Sequence, residues 1–209
     1  MKKTPRAILI DLDGTLADTK PLLFQAYETL LSYYGRKGTQ EEFDALDGLP
    51  LSKGMEKLRE LHEIDDNLTS MLALHANLFA SNHKHAAPMP GAEALLKAAQ
   101  SAMIPCCVVT SASTDIATSW LNQNKLNKYV AFVISSDNVT HGKPAPEPYL
   151  IAASKVGHHP ELCLALEDSE SGLNSAVAAG CCTYLVSRDT RRDDVNNVPS
   201  LVEALELLT

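Results

Sequence analysis

Apolar residues follow two rhythms along this chain, and the change between them divides it. Ala7-Ile-Leu-Ile-Asp-Leu12 is an apolar run broken by one acid, which predicts a strand buried on both faces and ending in a loop at Asp13-Gly14-Thr15. After Pro21 the period lengthens. Leu22, Leu23, Ala26, Tyr27, Leu30, Leu31 and Tyr34 recur at helical spacing until Gly35, the pattern of an amphipathic helix stopped by glycine. Thr39-Gln-Glu-Glu42 has capping-box spacing and opens a short helix reaching Leu46. Ser52 begins another, with Met55, Leu58 and Leu61 on one side. A fourth spans Asn67 to Asn82, with Leu68, Met71, Leu72, His75, Leu78 and Phe79 as its stripe.

From Pro88-Met-Pro-Gly91 onward the texture becomes short apolar strands alternating with helices, the signature of a parallel sheet with crossover helices. Strands are expected at Cys106–Val109, Ala131–Ile134, Leu162–Leu166 and Thr183–Val186, with helices near 92–102, 113–122, 146–156 and 171–179. The all-helical stretch interrupts this alternation directly after the first strand. The expected fold class is therefore α/β, a doubly wound parallel sheet built from residues 1–16 and 88–209. An inserted α-helical cap occupies 17–87, with a hinge at 83–90.

Composition narrows the possible partners more than the fold. With 209 residues, 45% apolar and 21% charged, the chain matches an ordinary globular protein with a substantial core. Its 18 Lys and Arg stand against 26 Asp and Glu, a formal charge of -8 with no basic run, which argues against nucleic acid or an anionic membrane as partner. The first apolar run carries two acids and is too short for a signal peptide or a membrane span, so a cytoplasmic setting is expected. Cys106–Cys107, Cys181–Cys182 and Cys163 lack zinc spacing and are odd in number, and they are read as buried reduced thiols. Trp120 is assigned to the core, His62 and His75 to structural positions on the cap helices, and His83, His85, His158 and His159 to exposed loops.

In an open parallel sheet the ligand lies at the carboxyl ends of the strands, so the polar residues just past each strand are the candidates. They form a coherent set. Asp11 and Asp13 end the first strand, ahead of Gly14-Thr15; Thr110-Ser111-Ala112-Ser113 follows the second; Glu167-Asp168-Ser169 follows the fourth; and His141-Gly-Lys143-Pro-Ala-Pro146 lies on the loop after the third. Phosphoryl transfer through a covalent intermediate needs an acid nucleophile, a proton donor, a hard cation held by oxygens, and positive or hydrogen-bonding groups on the phosphoryl oxygens. Asp11 and Asp13, two residues apart as a strand ends, can face one side, one to attack phosphorus and the other to protonate the leaving oxygen.

Asp11-Leu-Asp13-Gly14-Thr15, Ser111, Lys143-Pro144 and Glu167-Asp168 resemble, in order, the four motifs of the haloacid dehalogenase superfamily, and the resemblance covers nearly the whole chain. A helical insertion after the first motif is similar to the cap of its β-phosphoglucomutase and phosphoglycolate phosphatase branch. The resemblance implies Asp11 as nucleophile and Asp13 as general acid and then base. It implies Mg2+ held by Asp11, the main-chain carbonyl of Asp13 and Asp168, with Glu167 nearby or pairing with Lys143. Ser111 and the following N–H groups, beginning with Ala112, would hold the phosphate, Lys143 would neutralise the developing charge, and Thr15 would steady the loop. In that superfamily a second Asp two residues after the nucleophile marks phosphotransferases, so Asp13 argues against halide displacement.

Substrate choice in this branch is set by the cap, which puts Asp47-Gly-Leu-Pro-Leu-Ser-Lys53 and the start of the first cap helix under scrutiny. Where β-phosphoglucomutases carry an arginine and a histidine, this chain has Leu51 and Leu23, departures that favour hydrolysis over mutase chemistry. Lys20 and Lys53 are the cationic candidates for an anionic substrate tail. The expectation is a phosphatase for a small phosphorylated metabolite, such as a sugar phosphate or phosphoglycolate. A phosphomutase and a non-catalytic phospho-ligand-binding protein are the alternatives.

Overall fold

A computed structural model describes residues 4–46, 49 and 51–208. Asp47, Gly48 and Pro50 of the loop singled out above lie outside the described residues. The elements in chain order are β1 (Ala7–Ile10), β2 (Ala17–Asp18), α1 (Lys20–Tyr33), α2 (Gln40–Asp44), α3 (Leu51–Leu61), α4 (Leu68–His83), β3 (Ala87–Pro88) and α5 (Ala92–Ser101). They continue with β4 (Cys106–Val109), α6 (Thr114–Gln123), β5 (Phe132–Ile134), α7 (Glu147–Lys155), β6 (Cys163–Glu167), α8 (Glu170–Ala178), β7 (Cys182–Val186), β8 (Asn196–Val198) and α9 (Leu201–Ala204).

The main sheet runs β5-β4-β1-β6-β7-β8 with every pairing parallel. From β1 the chain moves out to β4 and β5, then returns to β6 on the other side, so β1 stands where the winding reverses. Ile10 pairs with Val108 on one side and Leu166 on the other, and all four residues of β1 are fully buried. That explains an apolar run rather than an alternation. Ala7 and Leu9 pack with Cys107, Val109, Ala165 and the α7 residues Tyr149, Ala152 and Ala153, and Ile8 and Ile10 face the opposite side by the two-residue period of a strand. Trp120 is buried, as its place in the α6 pattern implies.

By internal contacts the chain divides into two compact units, Met1–Asp18 with Ala87–Thr209, and Thr19–Ala86. β2 and β3 pair antiparallel as a two-residue ribbon, Ala17 with Pro88 and Asp18 with Ala87, so these residues join the sheet unit rather than the helical stretch. Pieces of two residues carry no readable period. β8, absent from the sequence reading, is polar at Asn196 and Asn197 and pairs with β7 at the end of the sheet order.

In the helical unit α1 and α3 pack against α4 around Tyr27, Leu30, Leu31, Met55, Leu58, Ile64 and Met71. Thr39 accepts from the Glu42 N–H at 3.1 Å, as the capping spacing predicts. The reciprocal half differs, because the Glu42 carboxylate takes the Tyr27 hydroxyl at 2.5 Å and the His62 ring at 2.8 Å. A half-buried acid gains more from these two partners than from one exposed N–H.

Four sequence assignments need correction. Leu61 is 58% exposed in the last turn of α3, where the apolar stripe has rotated off the core. His83 is buried in the last turn of α4 against the Phe79 ring, not on an exposed loop. Cys182 is exposed at the start of β7 and Cys181 is half-buried, while Cys106, Cys107 and Cys163 are buried, and all five are free thiols. Cys181 packs in part against the core cluster ahead of β7, while Cys182 opens β7 opposite Leu164 with its side chain on the exposed side.

Candidate active site

Asp11 follows the central strand directly, its N–H donating to Leu166 O at 3.0 Å and its side chain all but closed off from solvent. A carboxylate in that position needs a counter-charge. Lys143 supplies it, reaching from the loop ahead of α7 to place Nζ 2.6 Å from Asp11 Oδ1, 2.6 Å from Glu167 Oε1 and 2.8 Å from the Val109 carbonyl. These three acceptors come from the ends of β1, β6 and β4, and the ammonium has three hydrogens to give. The loop that carries Lys143 is held at both ends. Glu147 accepts from the N–H groups of Thr140 and His141 at 2.7 and 2.9 Å, and Ser175 on α8 donates to Ala145 O at 2.5 Å. The His141 ring also lies on Glu147, at 3.0 Å.

Asp13 and Thr15 lie on the tight loop between β1 and β2, which closes through Gly14 N–H to Ala17 O at 2.9 Å. Gly14 has φ +86, and a Cβ there would overlap the Asp168 carboxylate, so only glycine lets this loop come so close to the end of β6. Thr15 Oγ1 donates to Asp168 Oδ1 at 3.0 Å, joining the two loops. Asp13 is half-buried, with the Thr110 hydroxyl 3.5 Å from its Oδ2.

After β4, Thr110 is buried and Ser111 is exposed. The Ala112 N–H donates to Thr110 Oγ1 at 3.0 Å, and the Ala112 carbonyl accepts from Ser136 N–H and Oγ–H at 3.0 and 3.2 Å. The loop after β5 thus clamps the loop after β4. Thr110, Ser111, Ser136, Val139, Gly142, Lys143 and Pro148 line a cavity of about 250 Å³. Ser111 and Lys143, assigned separately from sequence, therefore line one cavity.

The charges are crowded. Burial first, and then the Glu167 charge, push the Asp11 carboxyl well above its usual range, with Lys143 pulling the other way. Asp168 opens to solvent on one side, yet burial of the remainder and then Glu167 raise it to about 6. For Lys143, burial opposes its charge, but Asp11 and then Glu167 outweigh that and hold the ammonium above the ordinary lysine range. Asp11, Glu167 and Asp168 each offer an oxygen, all within 4.8 Å of one another. A donor set made only of oxygens, carrying surplus negative charge, suits a hard divalent cation such as Mg2+. Glu167 is fully buried, with Oε1 on Lys143 and Tyr149 and Oε2 on Ser169, so Asp11 and Asp168 keep the greater free acceptor capacity.

Gly172 on α8 backs this cluster, and a Cβ there would overlap the Glu167 carboxylate. Gly172→Ala is therefore expected to cost about 1–3 kcal/mol, read as a lowered thermal midpoint, with catalytic loss if Glu167 is displaced. A variant of unchanged midpoint and activity would show that the carboxylate has room to move.

Asp11, Asp13, Thr15, Ser111, Ala112, Lys143, Glu167 and Asp168 all belong to this one edge of the sheet unit. Lys20, Leu51 and Lys53 belong to the helical unit: Lys20 is exposed at the start of α1, Leu51 is 48% exposed at the start of α3, and Lys53 is paired with Glu56 at 2.7 Å. Sequence reasoning placed Ser169 past its strand without a role, and missed Tyr149 and Ser136. Tyr149 lies in an amphipathic helical pattern, where a buried aromatic reads as core, and nothing in the spacing distinguishes it.

Residues 8–186 match the haloacid dehalogenase-like hydrolase family, and the chain belongs to that family. A phosphorylated carbohydrates phosphatase of Thermotoga maritima is 32% identical over 175 residues, 83% of this chain and 81% of that protein. Hexitol phosphatase A of Escherichia coli is 28% identical over 209 residues, 98% of this chain and 93% of the relative. A solved structure from Thermotoga maritima, provisionally named a β-phosphoglucomutase, superposes with TM-score 0.79 at 29% identity, covering 97% of this chain and 96% of its own.

Proposed function

We propose that this protein is a Mg2+-dependent phosphatase that hydrolyses a small phosphorylated metabolite, a sugar phosphate or phosphoglycolate-like ester, through an aspartyl-phosphate on Asp11. The observation that carries the reading is the Lys143 ammonium 2.6 Å from Asp11 Oδ1, at the reversal point of the sheet. Asp13 stands two residues on, and Asp168 is tied to the same loop through Thr15.

Asp11 attacks phosphorus, the bond to the leaving oxygen breaks, and Asp13 as the acid gives that oxygen its proton. Water then attacks the aspartyl-phosphate, Asp13 takes a proton from it, and inorganic phosphate leaves as the Asp11 carboxylate is restored. Lys143 favours the ionised nucleophile and offsets charge on the phosphoryl oxygens. Ser111 and the backbone of its loop hold those oxygens in the cavity. Asp11, the Asp13 carbonyl and Asp168 would hold Mg2+, which when bound would supply further positive charge and relieve repulsion among the acids.

A cytoplasmic setting belongs to the same proposal, and the free cysteines, three of them buried, support it. Among the described residues no helix is long and apolar enough to cross a membrane. Hydrolysis is preferred over mutase chemistry because Leu51 stands where a mutase would grip a second phosphate.

The test is phosphate release from an aryl phosphate and then from a panel of phosphorylated metabolites. Chelation of divalent ions is expected to lower the rate by at least about 100-fold, with recovery on adding Mg2+. Isomerisation that needs a bisphosphate and releases no phosphate would make the protein a mutase. Binding without turnover across the panel would make it a phospho-ligand-binding protein.

A further inference from the structure

Tyr149 is fully buried on α7, its ring packed in the cluster that holds Leu9, Val109, Ile134 and Ala165. It is a titratable group that the mechanism above leaves unused. Its hydroxyl donates to Glu167 Oε1 at 2.6 Å, the same oxygen that accepts from Lys143 at 2.6 Å. Its ring face lies 5.5 Å from the Lys143 ammonium, within cation–π range.

A lysine ammonium ends a flexible four-carbon stem, so its position is set by its acceptors. Of the three here, the Val109 carbonyl is fixed by the backbone and Asp11 is the group to be served. Glu167 is the side chain that can turn, since the terminal torsion of a glutamate is broad. A second donor on Oε1 from a rigid, packed ring, and the Ser169 hydroxyl on Oε2 at 3.2 Å, remove that freedom.

We propose that Tyr149 is a positioning residue, whose hydroxyl fixes Glu167 so that Glu167 holds the Lys143 ammonium on Asp11. The inference rests on the hydrolase reading for its catalytic consequence, though not for its geometry. Burial, and then the Glu167 charge, keep the phenol protonated far above its ordinary range, so it remains a donor at neutral pH. Glu167 on this account serves the lysine rather than the cation.

Two measurements on the full chain test it. Without metal, the side-chain ammonium of Lys143, identified in 15N NMR by its loss in Lys143→Arg, is expected to give a protected signal in the parent protein. That signal should broaden away in Tyr149→Phe, which keeps the ring and removes only the hydroxyl. With Mg2+ and an aryl phosphate, Tyr149→Phe is expected to lower kcat about tenfold, the effect of one hydrogen bond to a charged group. KM and the half-saturating Mg2+ concentration should stay within about twofold, since neither substrate binding nor the cation depends on the phenol. In a Glu167→Gln background the same substitution should add nothing, because the path through Glu167 is already broken.

An unchanged ammonium signal, a kcat within twofold of the parent, additive losses in the double variant, or a parallel rise in the Mg2+ requirement would each overturn the proposal. If the parent chain hydrolyses nothing while the ammonium signal still depends on Tyr149, the hydrolase reading fails and the positioning role stands.

Discussion

Asp11→Asn is expected to fold and yet to release phosphate at least about 10⁴-fold more slowly than the parent chain, the scale of loss when a covalent nucleophile is removed. The amide matches the carboxylate in shape but cannot attack phosphorus. In metal-free buffer the variant should be as stable as the parent or more so. Burial and then the Glu167 charge hold the Asp11 carboxyl well above its usual range, so its ionised form weakens the fold as pH rises, and the neutral amide removes that cost. Acid quenching with a labelled aryl phosphate should trap label on the parent protein and none on the variant. Release within tenfold of the parent would exclude Asp11 as nucleophile.

Lys143→Met should fail in both respects. The side chains of Lys143, Asp11 and Glu167 are 5%, 8% and 0% exposed, and removing the one cation leaves two carboxylates buried without it. Breaking a buried pair in this way costs about 3–5 kcal/mol, which for a chain of this size lowers the thermal midpoint by roughly 6–20 °C. Turnover should fall as well, since the ammonium 2.6 Å from Asp11 Oδ1 is lost and the bound cation alone is left to offset charge on the phosphoryl group. The contrast between the two substitutions is informative. One removes chemistry and spares the fold, while the other removes charge balance and harms both. A Lys143→Met protein of parental midpoint would mean that the ammonium contributes little to stability.

How much of this was legible in sequence depended on how local the signal was. The period of α1 and α4 and the buried runs of β1, β4 and β6 are properties of neighbouring residues, and the elements lie within a residue or two of where the pattern put them. The DxDGT segment, Ser111, Lys143 and Glu167-Asp168 were legible because each follows its own strand, and a parallel sheet brings strand ends together. The polar strand β8 and the ribbon of β2 and β3 carried no such period. Glu42 shows the limit of a motif: its spacing names a partner in the backbone, and the fold offers it Tyr27 and His62 instead.

The alternation of strands and helices, the place of the insertion and the residue types gathered at the sheet edge are written in the order of residues. These depend on spacing and on the cost of burying an acid in an apolar run. How the charges are shared emerges from packing in three dimensions. Glu167 could have turned to a cation or to Lys143. It turns to Lys143 because Tyr149, Ser169 and the bare backbone of Gly172, from two different helices and a loop, shape the space around it. Hydrogen-bond partners across the sheet are set by packing among segments far apart in the chain, and no local pattern encodes them.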